Sequence, residues 1–215
     1  MTKGTVRFFD AIAPRYDRVY ARDRDERAKT RAALERLLPA ASLVLDLGVG
    51  TGAELPALLD AGHSPVGLDL SPRMLALCGQ RTRPIPLVEG DLWGPLPWEP
   101  GTFDAVIALH GTLAHPPNDE ARQRLPREIA RVLRPGGVFV AELPTRLWLA
   151  EASRAEGSGV VSFGEGRGRF VDQVTGVHVD VWLASEDEWR QWCAGVLTVT
   201  FEASGGSEMR IVGRR

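Results

Sequence analysis

The stretch LVLDLGVGTGAELPALLDAG, residues 43–62, decides the fold. An apolar run reaches Asp46, glycines follow at alternate positions (Gly48, Gly50, Gly52), and a second apolar run begins. Glycine loses more backbone freedom on folding than any other residue. Three in so short a loop point to a backbone that turns sharply and admits a ligand. A glycine turn between a strand and a helix is such a place, because the helix N-terminus offers free N–H groups and a positive dipole end.

Working outward, strand and helix alternate. A mixed-charge helix is predicted over 21–39, with Pro39 ending it. Strands are predicted over Leu43–Leu47, 65–71, 86–91, 103–109 and 137–143, and a helix over 52–61 with Pro56 as a blemish near its first turn. Ser71 and Pro72 open another helix as N-cap and first helical residue. The segment NDEARQRLPREIARVLRPGG reads as a helix bent at Pro126 and closed by Pro135 and Gly136. The strands are apolar without alternation, as in a parallel sheet buried on both faces. The predicted class is α/β: a Rossmann-like, doubly wound, mostly parallel sheet.

After Leu143 the rhythm changes. Residues 159–173 read as a hairpin and 177–183 as an alternating strand. Ser185 and Glu188 form a capping box for a short helix, and two strands around Gly205 and Gly206 close the sequence. Antiparallel strands added late to a parallel sheet are common in large mixed sheets, and residues 159–183 are expected over the open ends of the parallel strands, as a cover for the acceptor.

The chain has 215 residues, 44% hydrophobic and 25% charged, with a net charge of −2. That suffices for one domain with a sizeable core. It gives no general attraction to nucleic acid or an anionic membrane, so neither is expected as a partner. The first seventeen residues carry no signal-peptide apolar stretch, and no apolar run is long enough to span a bilayer. Two distant cysteines, Cys78 and Cys193, stand in no metal-like spacing. No metal is expected, and a reduced cytoplasmic setting is.

The ligand of the glycine turn is argued from its neighbours. Gly48, Gly50 and Ala53 satisfy the G-x-G-x-x-A form of a dinucleotide loop, so a nicotinamide or flavin dinucleotide remains open on pattern alone. However, Asp46 stands two residues before the first glycine, an awkward neighbour for a pyrophosphate and a good one for an ammonium group. Asp69, at the end of the second strand, suits ribose hydroxyls, and Asp91, at the end of the third, the amine of an adenine. Ordinary strand-end capping accounts for any one aspartate more easily than for all three beside this loop. An amino-acid end, a ribose and an adenine without phosphate describe S-adenosylmethionine.

VLDLGVGTG, PVGLDLSPRML, VEGDL, FDAVIAL and EIARVLRPGG together resemble, in order and spacing, the motifs of the class I S-adenosylmethionine-dependent methyltransferases over residues 8–143. Val49 stands where that family often has cysteine or alanine. The resemblance implies a sheet of seven strands with an antiparallel last strand. It implies that Gly48, Gly50 and Gly52 approach the methionine part, with Asp46 near its ammonium group. Asp69 would hold the ribose, Leu70 and Met74 would flank the adenine, Asp91 and Leu92 would meet the adenine edge and face, and His110 would lie beside the methyl-bearing sulfur.

Residues 1–40 are expected as lid helices, 43–143 as the cofactor-binding core, and 144–215 as substrate-side strands and a final hairpin of the same domain. FFDAIAPRYDRVY resembles the N-terminal helix of small-molecule members, which would bring Tyr16 to the methionine carboxylate or the acceptor; Phe8, Phe9, Ile12 and Tyr16 also form a packing stripe. ALHGTLAHPPND resembles the loop after strand four in the glycine and sarcosine N-methyltransferase-like group, without its asparagine. His110 and His115 are candidate general bases, since histidine titrates near working pH. His63 reads as a turn residue, and His178 faces either the acceptor or solvent. The arginines of 122–134 read as a solvated face rather than an RNA patch, and the six tryptophans as packing. No NPPY-type tetrapeptide is present. The expected activity is methyl transfer to a small-molecule acceptor. The alternatives are a tRNA or protein methyltransferase of the same fold and an NAD(P)-dependent oxidoreductase.

Overall fold

The computed structural model describes residues 3–19, 24–154, 159–205 and 208–215. Its central sheet contains β1 (Leu43–Leu47), β2 (Ser64–Asp69), β3 (Leu87–Glu89), β4 (Phe103–Ala108), β5 (Leu133–Pro144), β9 (Thr198–Gly205) and β10 (Glu208–Arg214). Their order is β3-β2-β1-β4-β5-β10-β9. The first five run parallel, and β10 is antiparallel to both β5 and β9. Strand order reverses at β1: the chain goes to β2 on one side and to β4 on the other. Ligands of open α/β sheets bind at the carboxyl ends of the strands at such a switch point.

The helices are α1 (Lys3–Ile12), α2 (Tyr16–Val19), α3 (Arg24–Leu37), α4 (Leu55–Asp60), α5 (Pro72–Arg81), α6 (Asp119–Val132), α7 (Arg146–Ala152) and α8 (Glu186–Cys193). None is long and apolar enough to cross a membrane. Caps predicted from the sequence form. Ser71 Oγ accepts the Met74 N–H to start α5, and the Ser185–Glu188 box starts α8. Asn118 caps α6, which runs through Pro126 to Val132. Apolar residues of β1, β4 and β5 divide between two large core clusters. Two buried carboxylates interrupt these strands, Asp46 on β1 and Glu142 on β5. Glu142 is the one that ties elements together. Fully buried, it accepts hydrogen bonds from Thr30 (2.9 Å), Ser204 (2.8 Å) and Arg210 (2.7 Å), tying α3, β9 and β10 to the sheet.

Some expectations need correction. The late strands β6 (Val160–Gly164), β7 (Arg167–Val171) and β8 (His178–Trp182) are the extra antiparallel strands expected, and they form a sheet of their own, ordered β6-β7-β8, rather than joining the central one. Their alternating pattern cannot support burial on both faces, and their inner face packs on α1 and α7 through Phe170, Val179 and Val181. Helix α4 begins at Leu55 rather than 52, because three glycines with positive φ precede it; Pro56 then falls in its first turn, where no N–H is needed. Strand β3 stops at Glu89, so Asp91 lies in the following turn. Of the arginines of 122–134, Arg127 and Arg134 are exposed, as a solvated face requires, but the other three are not. Arg122 is buried against Trp182 and Trp192, Arg124 donates to the Trp93 carbonyl, and Arg131 donates to those of Trp98 (2.6 Å) and Leu96 (2.8 Å). Gly206 and the first residues of the stretch 21–39 lie outside the described residues.

Candidate functional site

The glycine turn is held from β2. The N–H groups of Gly48 and Val49 both donate to the Leu68 carbonyl, at 2.7 and 3.0 Å. Gly50 N–H donates to Asp69 Oδ2 (2.8 Å), and Ser71 N–H donates to Oδ1 (2.9 Å). One carboxylate thus joins the turn to the start of α5, and each oxygen keeps a further lone pair for a ligand. All three glycines have left-handed φ: +71° at Gly48, +54° at Gly50 and +81° at Gly52. Only at Gly50 does the missing side chain leave open space, the nearest atom to an added Cβ being 3.9 Å away.

The turn forms one end of a cavity of about 430 Å³. Ten of the residues singled out from the sequence line it: Tyr16, Gly48, Gly50, Asp69, Leu70, Met74, Asp91, Leu92, His110 and His115. Two do not. Gly52 turns instead toward α5, where a side chain would meet Cys78 Sγ at 2.7 Å. Asp46 is buried beneath the turn. The far end of the cavity is apolar: Phe8 and Phe9 from α1, Trp148 from α7, and Phe170, Val179 and Val181 from the small sheet. The N-terminal segment is strapped over the turn. Asp10 accepts from Ser71 Oγ and Asp17 from Thr51 Oγ1, both at 2.5 Å, and Asp17 pairs with Arg81.

Three carboxylates crowd the floor. Burial, then the nearby charges of Glu54 and Asp69, push the Asp46 carboxyl well above its usual range. Burial also raises Asp69, against the hydrogen bonds from Ser71 and Gly50. Burial would raise Glu54 too, but His110 and Arg31 more than offset it and hold that carboxyl below its ordinary value. An added pyrophosphate would worsen this crowding, whereas a cation would relieve it. The donor set therefore fits an ammonium and sulfonium ligand with a ribose, and not a dinucleotide phosphate.

The two histidines after β4 differ. His110 has φ +56°, rare for a residue with a side chain, and its Nε2 lies 3.4 Å from Glu54 Oε1. His115 stands past the short 3-10 turn Thr112–Ala114. Its Nδ1 lies 3.0 Å from the Asp180 carbonyl, its ring stacks edge-on against Phe9, and burial pulls its pKa below the usual value. His63 is buried and accepts from Ser42 N–H, while His178 is exposed. Glu54 was missed by sequence reading because it was taken into the helix after the glycines. Its position just before the Leu-Pro of a true first turn was the available signal.

A doubly wound sheet with an antiparallel β10, and a carboxylate-floored glycine turn at its switch point, define the methyltransferase architecture. Residues 44–137 match the family model described as a methyltransferase domain. The chain is 39% identical over 137 residues to a demethylmenaquinone methyltransferase of Mycolicibacterium gilvum, covering 61% of this chain and 56% of that one. It is 44% identical over 66 residues to the 18S rRNA (guanine-N(7))-methyltransferase of Bos taurus, covering 31% and 24%. The PH0226 protein of Pyrococcus horikoshii OT3 superposes with a TM-score of 0.75 at 22% identity, covering 89% of this chain and 90% of that one. The chain spans about half the length of the curated relatives it matches over its longest alignments. Residues 44–137 are thus those of a methyltransferase domain, and the fold is the Rossmann-like one of class I S-adenosylmethionine-dependent methyltransferases.

Proposed function

We propose that this chain moves a methyl group from S-adenosylmethionine to a small, largely apolar acceptor held under the β6-β7-β8 sheet. The observation that carries this reading is the polarity of one cavity: carboxylates and an open glycine at one end, aromatic and branched side chains at the other. The sulfonium supplies an already activated methyl group, so the protein's task is alignment and exclusion of water. Gly50 leaves room for the methionine part, the raised carboxyl of Asp46 lies below its ammonium group, and Asp69 takes the ribose hydroxyls. Leu70, Met74, Asp91 and Leu92 form the adenine wall. The N-terminal helices and the small sheet close the cavity from above, with Tyr16 on the N-terminal side. The apolar end suits a quinone-like or other flat acceptor better than a polar RNA loop, in keeping with the demethylmenaquinone named for one relative.

Titration calorimetry tests the reading. S-adenosylhomocysteine is expected to bind with a micromolar Kd and NAD to show no heat of binding. Asp69→Asn keeps one acceptor oxygen but loses the charge, and is expected to weaken S-adenosylhomocysteine at least tenfold with the fold intact. NAD binding, or unchanged affinity in Asp69→Asn, would contradict the assignment.

A further inference from the structure

We infer that His115 accepts the proton of the methyl acceptor, and that this acceptor is a flat, uncharged molecule presenting a hydroxyl. The inference rests on the cofactor reading above. A backbone carbonyl only accepts, so the contact from His115 Nδ1 to the Asp180 carbonyl fixes the proton on Nδ1. Nε2, on the opposite edge of the ring, is then unprotonated, and among the described residues no hydrogen bond reaches it. The ring lines the cavity and is braced by Phe9 at 5.4 Å between centroids. Desolvation of the half-buried ring lowers its pKa, which favours the neutral form. His110, the other histidine of this loop, is a poor candidate, because its Nε2 already faces the buried Glu54 carboxylate.

The walls around His115 choose the acceptor. Phe9, Phe170, Val179 and Val181 favour a flat apolar body. A cationic amine would have to share a desolvated cavity with the sulfonium charge, so an uncharged acceptor is preferred. The step balances as follows. A lone pair on the hydroxyl oxygen forms the bond to the methyl carbon, the carbon–sulfur bond breaks with its electron pair going to sulfur, and the hydroxyl proton passes to Nε2 of His115. Because the brace is a carbonyl of β8, the base is assembled only where the small sheet covers the cavity.

The test uses the full chain loaded with S-adenosylhomocysteine, with 4-phenylphenol and its methyl ether, 4-methoxybiphenyl, as probes. Wild type is expected to bind the phenol at least tenfold more tightly than the ether. His115→Phe should erase that margin and leave S-adenosylhomocysteine affinity within twofold, and His115→Gln, which keeps an acceptor, should retain part of it. In wild type, ¹⁵N NMR should show Nδ1 protonated and Nε2 free, with Nε2 shifting when the phenol is added. No binding of S-adenosylhomocysteine defeats the cofactor reading and this inference with it. Its binding without a preference for the phenol, a preference unchanged in His115→Phe, or a proton on Nε2 instead of Nδ1 defeats this inference alone.

Discussion

Gly50 and Gly52 share a left-handed backbone and differ in what their missing side chains make room for. At Gly52 an added methyl meets Cys78 Sγ at 2.7 Å and Leu55 Cδ1 and Thr82 Cγ2 at 3.0 Å, all within packed core. Cys78 is fully buried, its thiol pushed up to about 11 by that burial, and it has little room to yield. Gly52→Ala therefore adds overpacking, about 1–3 kcal/mol, to a left-handed alanine, about 1 kcal/mol. Gly50→Ala carries only the second cost, because its Cβ enters open cavity. The two variants should separate stability from binding. Gly52→Ala is expected to lower Tm by roughly twice as much or more, while Gly50→Ala lowers S-adenosylhomocysteine affinity more than tenfold in a chain that still folds. Thermal melts and calorimetry on the same preparations check this, and equal effects on both readouts would show that the two positions do one job.

At the scale of elements, α6 shows where a pattern read along the chain goes astray. Its arginines alternate with acidic and apolar positions, which on one helix looks like a solvated face. Arg127 is indeed exposed, but the partners that take the other three come from elsewhere. Carbonyls of the loop between β3 and β4 take Arg124 and Arg131, and Trp182 of β8 takes Arg122 at 3.0 Å from its ring centre, with Arg167 stacked on the same indole at 3.9 Å. Arg122 thereby holds the small sheet to the central one. Stacking of this kind contributes on the order of 1–2 kcal/mol when desolvated. Arg122→Ala is expected to lower stability by about that amount and to speed hydrogen exchange in β7 and β8 far more than in β1 and β4. Uniform exchange across both sheets would show that Arg122 packs locally and does not dock the cover.

The same contrast explains what was legible in the sequence. β1, β2, β4 and β5 declare themselves because both faces are buried by their own flanking helices, so apolar runs and a cap such as Ser71 carry the information locally. Asp69, Leu70, Met74, Asp91 and Leu92 reach the cavity because they sit in or just after strands whose order the motif spacing fixes. Asp46 and Gly52 belong to the same motif and stay outside the cavity, because the strand's alternation and the left-handed turn aim them inward. The separate small sheet, the Glu54–His110 pair and the brace on His115 depend on contacts between residues far apart in the chain, which no local period encodes.

Over the whole molecule, the cavity is closed by two pieces far apart in the sequence, and they touch. Arg15, beside the N-terminal helix, pairs with Asp172 in the turn between β7 and β8. The hydrogen bond from Arg15, reinforced by Thr175, holds the Asp172 carboxyl at about 2, against about 3.9 for an unfolded aspartate. A carboxyl with a depressed folded pKa binds fewer protons folded than unfolded, so its contribution is present above about pH 4 and is lost as pH falls toward about 2. Arg15→Met removes the charge and keeps much of the packing. Its Tm is expected to lie below that of wild type by a constant margin from pH 7 to about pH 5, and the margin to narrow below about pH 4. S-adenosylhomocysteine should also leave the variant faster, because the cofactor site proposed above lies beneath both covers. A margin independent of pH would mean that Arg15 acts through its aliphatic chain alone. An unchanged dissociation rate would mean that the junction of the two covers does not gate the cavity, and that exchange proceeds through an opening of one cover by itself.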